Sequence, residues 1–245
     1  MVTGFIKGAA YLFTGLSWLT RPRLRSFVII PLLVNTLLFS LAIWWGITEL
    51  GALMDWLLSY LPQWLDWLRW LLWPLFAVTM LLVSFYAFTL LANLIASPFN
   101  SLLAERTEDL AAPGRTRPQS GPLWKEIAHA PVTELKKLAY FLLWALPLLF
   151  LFLIPGINAA APFLWIAFSA WMLTLQYADY PMGNHAIRFK EQRRLLAKQR
   201  GLALGFGAAV LLITLVPVLN FLAMPASVIG ATLMWVGEFN NSEEL

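Results

Sequence analysis

Two long apolar runs in the first half of the chain predict two transmembrane helices. From Phe27 to Gly46 the sequence is apolar apart from three small polar residues. At 1.5 Å per residue, a helix of this length covers about 30 Å, the thickness of a bilayer's hydrocarbon core. A second run, from Leu71 to Ala96, is long enough to span with some tilt. We therefore expect segment 24–97 to hold two membrane-spanning helices.

The segments around these runs are more polar and predict structures at or outside the membrane surface. Residues 1–20 suggest a short interfacial helix, although an uncleaved signal anchor is an alternative. The Trp-rich stretch Leu50–Trp70 is expected to lie among the lipid headgroups, where aromatic rings are favoured. Segment 98–137 predicts an amphipathic, polar helical region with a Pro- and Gly-rich loop, and 237–245 a tail.

Two further apolar regions, 138–177 and 202–236, predict helical hairpins that enter the bilayer and turn back. A P-x-x-N motif interrupts each region, at Pro155–Asn158 and at Pro217–Asn220. The two legs of the second region hold about 15 residues each, or roughly 22 Å of helix, which is short of the bilayer core. A broken backbone at membrane depth must be buried in protein or line water. The matching motifs also suggest an internal repeat of the kind that transporters use.

The distribution of charge supports this arrangement. The side chains before the first span carry a net charge of +4, and those between the two spans −2. The polar region after the second span carries +1, and segment 178–201 carries +4. Two spans and two returning hairpins place every positive segment on one side, which is the cytoplasmic side by the positive-inside rule. If each hairpin were a single span, segment 178–201 would lie outside.

The amino-acid composition, taken with this pattern, predicts the fold class. Hydrophobic residues make up 60% of the chain and charged residues 12%, compared with roughly 45–50% and about 25% in soluble domains. With 13 Trp and 17 Phe, the chain has more apolar surface than one soluble core can bury. We therefore predict an all-α integral membrane protein that forms a single membrane domain over residues 1–245. Because it has no Cys, disulfides, thiol catalysis and Cys-ligated metals are excluded.

The motifs of catalysis are missing, which argues against an enzyme. The sequence has no G-x-S-x-G, P-loop or H-E-x-x-H motif. His129 and His185 stand alone in polar segments, and we interpret them as solvated or capping residues. Glu105 and Glu108 lie at helical spacing, which an exposed helix face explains. We expect no cofactor, no metal and no nucleic-acid partner.

Anion binding has better candidates. Arg21, Arg23 and Arg25 come just before the apolar helix that begins near Phe27. A helix N-terminus offers unpaired N–H groups and a partial positive charge, which suit sulfate or phosphate. Guanidinium groups add bidentate donors, and Ser26 can add a hydroxyl. The alternative is that these arginines fix topology and bind anionic lipid headgroups.

Amide side chains within the apolar segments form a second set of candidates: Asn35, Asn93, Asn158 and Asn220. A neutral amide at membrane depth needs hydrogen-bond partners, and a water-filled path provides them. Hydrogen bonds between helices are the alternative for any single Asn. Because there are four, two of them beside Pro breaks, we favour a transport path.

Several blocks in order resemble a known family, the CysZ-type sulfate permeases of bacterial inner membranes, over most of the chain. The matching blocks are Phe27–Asn35, Ala96–Glu105, Ser169–Leu173, Gln176–Pro181, Phe189–Glu191 and Gly230–Trp235. The resemblance implies sulfate uptake for assimilation into cysteine, an all-helical fold, a multi-pass inner-membrane location and a homo-oligomer.

The resemblance also implies a sulfate site. The family is expected to bind sulfate at a Gly-(Leu/Ile)-Arg-Arg turn that opens the first long helix. Leu24 and Arg25 match this turn, whereas Arg23 replaces its glycine and Ser26 its second arginine. We expect the backbone amides of Leu24 and Arg25 to remain available to the anion, and Arg23 to restore the missing charge.

The transport path itself is expected to include residues from several segments, together with membrane lipids around the helices. Path candidates are Asn35, Asn93, Asn220 and Trp235. A possible charged lining comprises Glu105, Arg106, Asp179, Lys190 and Glu191. If transport is coupled to protons, the acidic members of this lining are the candidate carriers.

Two other functions remain open on the sequence. One is a membrane scaffold whose arginines hold lipid heads and whose amides hold helices together. The other is a permease for sulfite or a different oxyanion. No carboxylate lies within Arg21–Asn35, and a site with donors only favours the fully deprotonated sulfate over phosphate, which usually carries a proton.

Overall fold

A computed structural model of the chain describes residues 1–60, 69–114 and 123–239, and all regular structure in these ranges is α-helical. The helices, in chain order, are α1 (Val2–Trp18), α2 (Arg25–Leu58), α3 (Arg69–Ala111), α4 (Leu123–Leu151), α5 (Ala161–Asn184), α6 (Phe189–Lys198), α7 (Arg200–Thr214) and α8 (Pro217–Glu238). The predicted all-α class is therefore confirmed over the described ranges. Three parts of the chain lie outside these ranges: residues 115–122, which make up most of the predicted Pro- and Gly-rich loop, residues 61–68 of the Trp-rich stretch, and the end of the tail.

The chain divides into two compact units. The first comprises Met1–Arg25 and the chain from Asn100 onward, and the second comprises Ser26–Phe99. Helix α3 starts in the second unit and ends in the first.

In the second unit, both predicted apolar runs are helical and extend beyond their predicted limits. Helix α2 has 34 residues and α3 has 43, which correspond to about 51 Å and 64 Å of helix. Both are therefore longer than a bilayer core is thick. The Trp-rich stretch is partly a continuation of α2, which runs on to Leu58. Apolar side chains such as Leu37, Ile43, Leu75 and Leu81 are exposed along these helices, as expected of segments that face lipid.

Helices α1, α5, α7 and α8 form the core of the first unit. Helices α1 and α5 both contact α7 and α8, which also contact each other. The core contains Leu12, Phe206, Val210, Ile229 and Met234, all without exposed surface. The helix predicted to lie alone at the interface is therefore packed along one face of a helical bundle, while Phe5, Ile6 and Phe13 remain exposed.

Small residues bring these helices into backbone contact. A Cβ atom added at Gly205 would lie 2.0 Å from the carbonyl oxygen of Phe5, and one at Gly207 would lie 1.7 Å from that of Ala170. Only glycine therefore allows α7 to approach both α1 and α5 this closely. Helices pack in this way within membranes, where small residues let backbones come together.

The first predicted helix break is confirmed. Residues 152–160 separate α4 from α5, and they include the whole Pro155–Asn158 motif. Gly156 adopts a positive φ of 86°, which a glycine accommodates without strain. The helical leg from Leu138 to Leu151 is about 21 Å long, shorter than a bilayer core.

The second break is shorter than the first, and the legs around it are unequal. Only residues 215–216 separate α7 from α8, so Pro217 begins α8 and Asn220 lies in its first turn. The expectation of two legs of about 15 residues is right for α7 but wrong for α8, which has 22. Helix α8 is longer because it includes the motif residues Pro217–Asn220 and continues past Trp235 to Glu238.

Among the described residues, one helical segment, Leu219–Glu238, is long and apolar enough to cross a membrane by length and composition. Helices α6 and α7 would form a second such segment if taken together, but they meet at an angle of 105°. The chain thus turns sharply where the basic segment 178–201 joins the apolar region.

Candidate anion and permeation sites

The three arginines predicted to bind an anion lie in a tight turn between α1 and α2. Arg21, Arg23 and Arg25 are exposed, while Leu24 between them is completely buried. The Arg21 guanidinium lies 3.4 Å from the centre of the Trp18 ring, a cation–π contact. The turn is therefore anchored by one apolar side chain and by one arginine stacked on an aromatic ring, which leaves Arg23 and Arg25 facing solvent.

One detail of the predicted site is wrong. The amides of Leu24 and Arg25 both donate to the carbonyl oxygen of Arg21, at 2.9 and 3.1 Å, and are not available to an anion. These bonds form because the turn already has helical geometry, so its N–H groups point back along the chain. The guanidinium groups and the hydroxyl of the exposed Ser26 are the donors that remain for an anion in this conformation.

No carboxylate neutralises this turn within the described part of the chain. Arg21, Arg23 and Arg25 form no salt bridge there. Ser26, the next residue, is also exposed. Three cations without an acidic partner produce a positive potential that attracts anions.

A buried polar cluster lies where α3 ends and α8 ends. The carboxylate of Glu108 lies 2.8 Å from Nε2 of His185, at the C-terminal end of α5. The side chains of Glu108 and His185 are 3% and 10% exposed. The imidazole lies 5.4 Å, centre to centre, from the ring of Trp235, which in turn stacks on Phe239.

Trp235, a predicted path residue, is thus buried in the core, and its indole N–H has no hydrogen-bond partner among the described residues. A buried donor without an acceptor is unusual and costs free energy. Trp235 thus lies beside the imidazole of His185, which itself contacts the Glu108 carboxylate.

Glu108 was predicted to lie on an exposed helix face, and this is wrong, because it is 2% exposed. Leu103, Ala104 and Thr107 share its buried face of α3. Sequence reasoning also missed His185 as a partner of Glu108, since the two are 77 residues apart. In the sequence, the only local sign that Glu108 is buried is that small and apolar residues lie one helical turn before it.

The predicted charged lining is not one continuous cluster. Asp179 forms a salt bridge with Lys137 and accepts a hydrogen bond from Gln192, so it ties α4 and α6 to α5. Arg106 lies 3.7 Å from Asp109 in an exposed pair, and Glu105 is half-buried. Lys190 and Glu191 are exposed on α6.

The predicted amides are also dispersed. Asn220 is exposed in the first turn of α8, and 15 residues, or about 22 Å of helix, separate it from Trp235. The side chains of Asn35 and Asn93 lie outside the described part of the structure. A different amide, Asn100, donates to the hydroxyl of Tyr180 at 3.2 Å and contacts Met224.

No group of three or more acidic or His residues that could hold a metal ion is found among the described residues.

Comparison with known proteins shows extensive similarity to one family. The model of the family described as Sulfate transporter CysZ/Etoposide-induced protein 2.4 matches residues 11–225. A protein of Pectobacterium atrosepticum named Sulfate transporter CysZ is 45% identical over 238 residues, which are 96% of this chain and 86% of the relative. A Salmonella typhimurium protein of the same name is 47% identical over 233 residues, or 94% of this chain and 92% of the relative.

Proposed function

The chain belongs to the sulfate transporter CysZ/etoposide-induced protein 2.4 family, and on this basis we propose that it transports sulfate across the bacterial inner membrane. The sulfate would supply assimilation into cysteine. The observation that carries the proposal is the turn at Arg21–Arg25, where three exposed guanidinium groups have no carboxylate partner among the described residues. Similarity to the named relatives over nearly the whole chain supports it further.

Sulfate binds at Arg23, Leu24, Arg25 and Ser26. The Arg25 guanidinium donates two parallel N–H bonds to sulfate oxygens, and Arg23 supplies a second positive charge. Leu24 contributes by holding the turn through its buried side chain rather than through its amide. The Ser26 hydroxyl adds one donor, and the partial positive charge of the helix N-terminus favours the anion.

The site favours sulfate over anions that carry a proton. Sulfate near neutral pH offers only acceptors, and the turn offers only cationic and hydroxyl donors. A carboxylate would favour hydrogen phosphate by accepting a hydrogen bond from its protonated oxygen, and none lies between Arg21 and Asn35.

The membrane arrangement is two spans, contained in α2 and α3, and two hairpins that return to the cytoplasmic side. The short legs of α4 and α7 support this arrangement, because neither apolar leg is as long as the bilayer core is thick. The net charge of +4 on segment 178–201 supports a cytoplasmic location for that segment. Helix α8 is long enough to cross, but it is packed within the first unit of the protein.

The transport path contains Asn35, Asn93, Asn220 and Trp235, with Glu105, Arg106, Asp179, Lys190 and Glu191 as its charged lining. The buried indole N–H of Trp235, which has no acceptor of its own, supports its place on the path. The protein acts as a homo-oligomer surrounded by lipid, and the exposed apolar side chains of α2 and α3 support contacts of this kind.

The membrane potential limits the mechanism. Sulfate carries two negative charges, so 100 mV negative inside opposes its entry by about 4.6 kcal/mol. This energy corresponds to an equilibrium ratio of external to cytoplasmic sulfate of about 2,000. A passive channel therefore works only when cytoplasmic sulfate is consumed quickly, and otherwise protons must accompany the anion.

The sulfate site is tested by binding of labelled sulfate to the purified protein in detergent, measured by equilibrium dialysis. Arg25→Ala should weaken binding about tenfold to a hundredfold, because it removes a charge-assisted, bidentate contact. Arg188→Ala is the matched control, since Arg188 is equally exposed but lies on another segment. Equal affinity of both variants and the wild type would contradict the assignment of this turn.

A further inference from the structure

The strongest unassigned feature is an open cavity of about 580 Å³ among α4, α5, α6 and α7. Its walls include four cations, Lys190, Arg193, Arg194 and Arg200, and two aromatic residues, Tyr140 and Trp171. No acidic residue lines it. We propose that this cavity is a second oxyanion site, which binds a tetrahedral phosphate or sulfate group.

The cations come together through helical periodicity. Lys190, Arg193 and Arg194 are spaced i, i+3 and i+4 on α6, so they share one face. Arg200, at the start of α7, joins them because α6 and α7 meet at 105°. None of the four forms a salt bridge within the described ranges.

One carboxylate that contacts α6, that of Asp179, is already engaged. Asp179 pairs with Lys137 on one side and accepts from Gln192 on the other. Gln192 lies on the buried side of α6, and its side-chain amide also donates to the carbonyl of Ile187. The positive charge of the cavity is therefore left for a ligand.

Arg193 is held in a fixed orientation. Its guanidinium lies 4.4 Å from the centre of the Tyr140 ring and 5.2 Å from that of Phe189. The Tyr140 hydroxyl is itself fixed, because it accepts a hydrogen bond of 3.1 Å from the indole N–H of Trp171. The Nε atom of Arg193 is buried and has no hydrogen-bond partner in the described structure. A guanidinium that is held in place at the wall of the cavity loses little conformational freedom when it binds an oxyanion.

Two kinds of molecule carry an oxyanion group that fits this cavity. One is the phosphate of an anionic phospholipid, whose chains would pass along the exposed apolar residues Leu138 and Leu142 of α4. The other is a free sulfate ion. The site is distinct from the turn at Arg21–Arg25, and it does not depend on the function proposed for that turn.

Two charge-matched double variants test this proposal. Lys190→Gln with Arg194→Gln removes two cations that line the cavity. Arg188→Gln with Lys198→Gln removes two exposed cations from the same segment that do not line it. Arg193 is left intact, because its stacking also supports the fold.

Both sources are probed with the detergent-purified, full-length protein. Retention of phosphatidylglycerol and of phosphatidylcholine is counted by native mass spectrometry. Binding of labelled sulfate is measured by dialysis in the Arg25→Ala background, in which the first site binds sulfate more weakly.

We expect the cavity variant to lose affinity about tenfold or more in at least one arm, while the control variant stays within about twofold of wild type. Loss of phosphatidylglycerol alone identifies a lipid phosphate, and loss of sulfate identifies a free anion. If the cavity and control variants behave alike in both arms, the second site does not exist. Failure of Arg25→Ala to change sulfate binding would bear on the first site only.

Discussion

At the scale of single residues, the most informative side chain is Glu108. Its neighbours in sequence, Arg106 and Asp109, form an exposed pair, and the acidic stretch as a whole is typical of a solvated helix face. Glu108 nevertheless lies in the buried face of α3, against His185. A buried carboxylate needs a partner to remain stable, so this contact holds the end of α3 against the end of α5.

Glu108→Ala should therefore destabilise the protein by about 1–3 kcal/mol, because His185 loses its buried acceptor. Asp109→Ala is the control, since its carboxylate is half exposed and its ion pair with Arg106 is long, at 3.7 Å. We expect the control to change stability by about 0.5 kcal/mol or less. Thermal unfolding in detergent measures both, and equal melting temperatures would show that the buried contact contributes nothing.

At the scale of helices, close packing through glycine decides the structure of the first unit. Helix α7 carries Gly205 against α1 and Gly207 against α5, each within van der Waals contact of a backbone carbonyl. Because lipid is as apolar as the side chains, such helices associate by tight packing rather than by hydrophobic burial.

Gly207→Ala should strongly reduce the yield of folded protein and its melting temperature, since the added methyl group would lie 1.7 Å from the Ala170 oxygen. Gly183→Ala should have little effect, because nothing lies within 4 Å of that position. Size-exclusion profiles and thermal unfolding in detergent compare the two. A normal profile for Gly207→Ala would mean that α5 and α7 do not pack as described.

The sequence predicts a structural feature of the helices when neighbouring residues determine it, and fails when distant segments do. The long apolar runs and the turn at Pro155–Asn158 follow from local composition, and both appear in the structure. Pro225 lies within α8, so a proline in an apolar segment does not by itself mark the end of a helix. The burial of Glu108 and of Trp235 depends on contacts between distant segments, which periodicity alone does not identify.

The candidate sites also differ in whether the sequence alone reveals them. The basic turn at Arg21–Arg25 is visible in sequence because its charges are adjacent. The cavity beside Arg193 is not, because Tyr140 and Arg200 reach it from helices 60 residues apart. The anchoring of the turn by Leu24 also depends on tertiary packing.

At the scale of the whole molecule, the proposed topology predicts which segments a reagent outside the membrane can reach. The chain has no cysteine, so any introduced cysteine is its only thiol. Ser59→Cys should react with a membrane-impermeant maleimide in intact spheroplasts, whereas Lys198→Cys should react only after lysis. Ile157→Cys, at the first helix break, should stay protected from the outside, because the hairpin does not cross.

Protection of Lys198 tests the cytoplasmic side directly, and Asp109→Cys is a second position expected to behave in the same way. Labelling of Ile157→Cys in intact spheroplasts would mean that α4 and α5 traverse the membrane. In that case the first hairpin would be two membrane spans, and segment 178–201 would still lie on the cytoplasmic side.

The central claim is that this chain moves sulfate, and labelled-sulfate uptake into liposomes tests it most directly. Purified protein should give uptake above empty liposomes, and Arg25→Ala should lower it while Arg188→Ala leaves it unchanged. Uptake without a pH gradient would identify a passive channel, and uptake only with one would identify proton coupling. No uptake by folded protein under either condition would contradict the account and favour a membrane scaffold.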